Sequence, residues 1–312
     1  MNRIALSLAG LAIAWSLTQL NLASSAEREL LRDPHFQRGF ILLEAAPGKR
    51  AVQRTLEGPD KAGKPAWDLA QWSSKHPTLP DLPEKLPNGA VRYANPGKVV
   101  AIGLPGTEDG DLSLAVNASA EYGTHPREEG DPWVHLLTQQ EFDNPPSLAE
   151  LRECRLRIGM RLKHSRLVTP EGYSPARHAA QMQIFLTISN RKTGSPGYGQ
   201  YLWFGVPLYD NRERLPSGFK AQDRGDTKMF IYTLAATDVT SESAHDGKWV
   251  TIDKDLLPLL REALQVAWSR GFLKDSTDFA DYRLGGAFVG WEVPGIFDVD
   301  AQVRDFSLKV LE

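Results

Sequence analysis

Aromatic side chains at alternate positions mark the stretch Gln200–Tyr209, where Tyr201, Trp203 and Tyr209 interleave with Leu202, Phe204, Val206 and Leu208. In an extended strand successive side chains point to opposite faces, so the aliphatic set predicts a core face and the aromatic set an outward one. The preceding run, Arg177–Ser189, repeats the pattern. Ala180, Met182, Ile184, Leu186 and Ile188 share one face, and Gln181 and Gln183 take the other. Aromatic faces stack on the apolar C–H patches of a sugar, and amides bond its hydroxyls. These residue types predict a carbohydrate-binding face formed by Tyr201, Trp203, Tyr209, Gln181 and Gln183. Gln302 and Arg304 join it if the last strand lies in the same sheet.

Two catalytic chemistries suit such a face. Glycoside hydrolysis needs two carboxylates flanking one bond. Glu141, Glu292, Asp298 and Asp300 are available, and their spacing singles out no pair. Polysaccharide lysis needs a base and a group that neutralises a carboxylate. His178 or Tyr201, with Gln183 or Arg304, would supply them. The candidate catalytic residues are therefore His178, Tyr201 and Glu292. The third reading is a structural or partner-binding envelope protein in which the same aromatics are core.

Other chemistries are excluded or unsupported. No Gly-x-Ser-x-Gly and no phosphate-binding loop occurs, and strand–helix alternation of a dinucleotide fold is absent. The seven histidines include no helical pair, so no zinc site is expected. No cofactor is expected; calcium at Asp298 and Asp300, or at Asp109 and Asp111, is the alternative. The chain of 312 residues has a formal net charge of −3 and no polybasic run, which gives nucleic acid no electrostatic hold.

Residues 1–26 read as a secretory signal. Arg3 precedes a mainly apolar Ile4–Leu17, and Ala23-Ser24-Ser25-Ala26 offers a cleavage site. The expected location is secreted or periplasmic, with no membrane span in the mature chain. Cys154 is the single cysteine, so no internal disulfide can form, and its place among Leu156 and Ile158 predicts a buried structural thiol.

The elements that must position these residues are mostly strands. Glu153–Lys163 alternates Cys154, Leu156, Ile158, Met160 and Leu162 with Arg155, Arg157, Arg161 and Lys163, a core face against a solvated basic face. Pro47–Pro96 lacks periodicity and reads as a long irregular loop that either wraps the surface or covers the aromatic face. Asp255 caps a predicted helix over Leu256–Phe272 that ends at Gly271. In Phe297–Leu311 the apolar phase switches near Asp305, which predicts a β-bulge. The fold class expected is all-β: a jelly-roll-like antiparallel β-sandwich with one inserted α-helix near the C-terminus, formed by residues 27–312 as a single domain.

Tyr198-Gly199-Gln200-Tyr201-Leu202-Trp203-Phe204-Gly205-Val206-Pro207-Leu208-Tyr209 and Gly290-Trp291-Glu292-Val293-Pro294-Gly295 resemble strands of exported bacterial jelly-roll proteins, the broad group of carbohydrate-binding modules and β-sandwich polysaccharide-degrading enzymes. The resemblance spans Val99–Glu312 in general character and implies a poly- or oligosaccharide ligand. Alginate-lyase-like members carry a Gln-x-His strand motif. Gln181-Met182-Gln183 departs from it, so no lyase residue is carried over.

Overall fold

A computed structural model describes residues 27–48, 50–123, 125–223 and 227–312; the predicted secretory signal lies outside them. The strands in the first half are β1 (Glu27–Glu29), β2 (Gly39–Leu43), β3 (Val52–Glu57), β4 (Trp67–Ala70), β5 (Glu84–Lys85), β6 (Val91–Asn95), β7 (Lys98–Ile102), β8 (Leu112–Asn117) and β9 (Val134–Glu141). A short helix, α1 (Ala118–Tyr122), follows β8. Then come β10 (Glu153–Leu167), β11 (Gln181–Asn190), β12 (Tyr201–Asp210), β13 (Phe219–Gln222), β14 (Phe230–Thr233), β15 (Val250–Asp255), α2 (Leu257–Ser269), β16 (Tyr282–Val293) and β17 (Phe297–Leu311).

These strands form a β-sandwich of two sheets. One runs β15-β10-β17-β8-β7-β6-β5 with β1 beside β17, and the other runs β13-β14-β12-β11-β16-β9-β4-β2-β3. The expected antiparallel pairing holds except at β2/β4 and β12/β14, which are parallel. Leu156, Ile158 and Leu308 from the first sheet meet Ile184, Leu186, Phe204 and Val289 from the second in one buried core. Each such side chain removed from water contributes about 1.5–3 kcal/mol. Trp291 ties the layers together: its indole N–H donates to the Leu114 carbonyl of the opposite sheet at 2.8 Å.

The predicted helix is present over a shorter span, Leu257–Ser269, with Leu256 rather than Asp255 at its N-cap position. Leu260, Ala263, Leu264 and Ala267 are buried on one stripe, Asp255 accepts the Leu257 N–H at 3.0 Å, and Gly271 takes the left-handed φ of +83° that stops the chain. The bulge in β17 is also present. Arg157 pairs with Ser307 and Gly159 with Arg304, leaving one extra residue in β17, and Asp305 has φ +52°. The Asp111 carboxylate accepts the Asp305 N–H at 2.8 Å and fixes the kink.

Pro47–Pro96 differs from expectation. It contributes β3, β4, β5 and β6 and extends both sheets at one edge. Trp67-Asp68-Leu69-Ala70 is buried on both faces, so no alternation betrays it as a strand. The Arg54 guanidinium clamps the following turn through the Leu79 and Pro80 carbonyls and Asp81. The segment therefore leaves the aromatic face open and forms part of its border.

Candidate functional site

The outward face of the nine-stranded sheet carries the site, and strand register fixes its order. Trp203 on β12 sits opposite Thr187 on β11, Thr187 opposite Gly286 on β16, and Gly286 opposite Glu141 on β9. The next row runs from Phe185 through Phe288 and Gln139 to Asp68 on β4. A cleft of about 760 Å³ lies over these rows, with Tyr198 and Tyr201 at one end and Arg50 and Asp143 at the other. Trp203 and Tyr201 are half-buried, and the Trp203 ring meets Tyr201, Phe185 and Phe288 edge-on at 5.3, 6.0 and 5.2 Å between centroids. Such edge contacts hold an aromatic floor rigid. The Trp203 indole N–H donates to Thr227 at 3.3 Å, and burial pushes the Tyr201 phenol above its ordinary range.

The acidic end is defined by two carboxylates in different states. Asp68 is buried and accepts both arms of the Arg50 guanidinium, at 2.6 and 2.9 Å. That fork raises the Arg50 pKa, chiefly through the Asp68 hydrogen bond and charge. Glu141 is exposed, and its carboxyl has no hydrogen bond or ion pair among the described residues, although its charge adds to the rise in the Arg50 pKa. Asp68 faces Gln139, and Glu141 is the next same-face residue of β9, so the two are diagonal neighbours across one strand pair. Diagonal Cβ atoms lie about 7–8 Å apart, and carboxyl separations of roughly 5–9.5 Å serve glycoside hydrolysis. Arg32 and Asp143 pair at 3.0 Å on the wall.

Of the residues singled out from sequence, Tyr201, Trp203 and Glu141 line this cleft. Gln181 and Gln183 share its face farther along β11, opposite Glu292 and Gly290, and Gln181 donates to Asp210 at 2.7 Å. Tyr209 does not join them. Met182 pairs with Tyr209 but Gln183 pairs with Pro207, so a bulge at Leu208 turns Tyr209 into the core, edge-on to Trp291 at 5.8 Å. Proline cannot donate to the ladder, which is why the strand slips there. Gln302 and Arg304 lie on the other sheet. Gln302 accepts the Arg161 guanidinium at 2.6 and 2.9 Å, and Arg304 stacks on Trp249 at 4.2 Å.

The three catalytic candidates do not converge. His178 is buried, accepts the Ser174 N–H at 3.0 Å and lies 2.8 Å from the Arg127 carbonyl, a structural role. Glu292 sits at the far end of β16 opposite His135, away from Tyr201. The aspartates weighed for calcium are engaged elsewhere. Asp298 holds Ser119 and Arg166, Asp300 accepts from Ser113, Asp109 accepts from Asn88, and Asp111 holds His35. No cluster of three metal-ligating side chains occurs among the described residues, and no described helix is long and apolar enough to cross a membrane. Cys154 is buried, and desolvation raises its pKa.

Sequence reasoning missed Asp68, Arg50, Arg191 and Phe288 as cleft residues. Alternation within Val134–Glu141 was the available signal for Gln139 and Glu141. Asp68 had none, because its partner strand lies far along the chain.

No protein-family model and no curated protein sequence matches the chain. Among solved structures it is similar to endoglucanase cel12A from Rhodothermus marinus, at 14% identity and TM-score 0.39 over 78% of this chain and 98% of that one. It is similar to a family 11 xylanase from Neocallimastix patriciarum at 10% identity and TM-score 0.41, over 75% and 98% of the two chains. It is similar to a family 12 xyloglucanase from Bacillus licheniformis at 10% identity and TM-score 0.43, over 75% and 99%. Likeness at this level settles no activity; what the cleft can do follows from its own rows of side chains.

Proposed function

We propose that the protein is an exported glycoside hydrolase that takes a poly- or oligosaccharide chain across β12, β11, β16, β9 and β4. The observation that carries the reading is the diagonal pair Asp68 and Glu141 beside the aromatic floor of Tyr201, Trp203 and Phe288. Sugar rings stack on the aromatics, and the glycosidic bond lies over the carboxylates. The unpartnered Glu141 carboxyl gives its proton to the leaving oxygen as the C–O bond breaks. Asp68, held in position by the Arg50 fork, activates water or attacks the anomeric carbon. Water supplies the hydroxyl of the new reducing end.

Binding without turnover is the second reading. It is favoured by one specific contact: both Asp68 oxygens are already engaged by Arg50. A glycan array followed by a reducing-end assay separates the two. New reducing ends that disappear in Glu141→Gln support hydrolysis, and retained binding with no product supports a binding protein. Absence of any glycan binding contradicts both.

A further inference from the structure

The charges lining the cleft mostly cancel. Arg50 holds Asp68, and Arg32 holds Asp143. Arg191 is the exception among the cleft's cations: it is exposed, and its guanidinium has no hydrogen bond or ion pair among the described residues. Its neighbour Lys192 is engaged by Asp281 at 2.9 Å, and Ser276 donates to the same carboxylate at 2.6 Å. The loop leaving β11 is thereby anchored with Arg191 over the sheet.

The place Arg191 occupies is defined by a glycine. A Cβ on Gly285 would collide with Thr187 Oγ1 and would lie 3.0 Å from Ser189 Oγ and 3.3 Å from Arg191 Nη2. Two hydroxyls and one guanidinium nitrogen thus gather around a single point on the cleft floor, where only glycine leaves room. Neither hydroxyl has a hydrogen-bond partner among the described residues. Tyr198 and Tyr201 stand beside this point on the same wall of the cleft.

We propose that Arg191, with Thr187 and Ser189, is a carboxylate-recognition subsite, so that the glycan taken by this cleft bears uronic acid residues. The inference rests on the glycan reading of the cleft and names its substrate class. A guanidinium fork matches a planar carboxylate, two hydroxyl donors complete its lone pairs, and the adjacent tyrosines stack the ring that carries it. Gly285 and Gly286 are consecutive, and Gly286 faces Glu141. A uronate held at Arg191 therefore lies beside the carboxylate pair. Arg191 is a specificity-determining residue here, with no part in bond cleavage.

The test is calorimetric titration of the full chain and of Arg191→Gln with galacturonate, glucuronate and mannuronate oligosaccharides, with their carboxyl-reduced counterparts and with a sulfated neutral oligosaccharide. The expected result is that at least one uronate series binds about 10- to 100-fold more tightly than its reduced counterpart, the scale of one charge-assisted hydrogen-bonded pair. In Arg191→Gln that ratio falls toward one, and Arg191→Lys restores it in part. Equal affinity for acidic and reduced glycans, preference for the sulfated ligand alone, or a ratio unchanged in Arg191→Gln overturns the subsite while the glycan reading stands. No binding of any glycan overturns both. An unsaturated product from a bound uronate would overturn hydrolysis and leave the subsite standing.

Discussion

Asp68 and Glu141 are diagonal neighbours across the β4/β9 pair, one carboxylate buried in a guanidinium fork and the other free in the cleft. Their surroundings differ: the forked carboxylate is held in place, and the other is open to a ligand.

Removing the fork should therefore be felt in two ways. Arg50→Met leaves the buried Asp68 carboxylate without its principal donors. Because the Arg50 side chain is 62% exposed, the expected loss is at the low end of the range for an orphaned buried group, about 1 kcal/mol, read from urea unfolding. Turnover should fall much more than stability. Wild-type rates in a folded Arg50→Met would show that Asp68 is not part of the reaction.

Trp203 and Tyr209, six residues apart on β12, should respond oppositely. Trp203→Ala should weaken glycan binding by about tenfold, since a stacked ring is worth roughly 0.5–1.5 kcal/mol beyond the area it buries. Tyr209→Ala should leave a cavity against Trp291 and cost about 3–5 kcal/mol of stability. Tyr209→Phe should bind glycan as wild type does. A loss of affinity in Tyr209→Phe would place that side chain back in the site.

Gln302→Ala and Arg304→Ala, on the opposite sheet, should leave glycan affinity within twofold of wild type. The same titrations check this, and a tenfold loss would mean that the ligand reaches the other face.

Much of this architecture was legible. Cys154 to Leu162 and Ala180 to Ile188 alternate cleanly because each strand has one face in the core, and the phase switch at Asp305 revealed its bulge directly. What escaped depended on pairings between distant segments. Nothing local says that β17 joins the sheet without the aromatics. Likewise Trp67–Ala70, buried on both sides, has no periodicity to read. Tyr209 was misplaced because one slipped residue, Leu208, reverses every face after it, and Pro207 was the only local warning.

A pH test concerns the buried polar cluster behind β7. Lys98 is fully buried, donates to Ser74 at 2.8 Å, and is pushed down to about 8 by desolvation, with the Glu121 charge opposing. The unfolded chain then binds more protons than the folded one between about 8 and the lysine's ordinary 10.5. This residue's contribution to stability should rise with pH across that window. Lys98→Met should flatten the rise in chemical-denaturation midpoints. An identical slope in the variant would show that Lys98 is not desolvated.

Cleavage of a glycosidic bond at the Asp68–Glu141 end of the cleft is the proposal on which the rest depends. The most direct measurement is reducing-end release by the wild-type chain and by Glu141→Gln on the glycan that binds best. The prediction is turnover in the wild type and a loss of about 100-fold or more in Glu141→Gln with binding retained, the scale of a removed general acid. Equal rates in the two proteins, or tight binding by the wild type with no product, would contradict it.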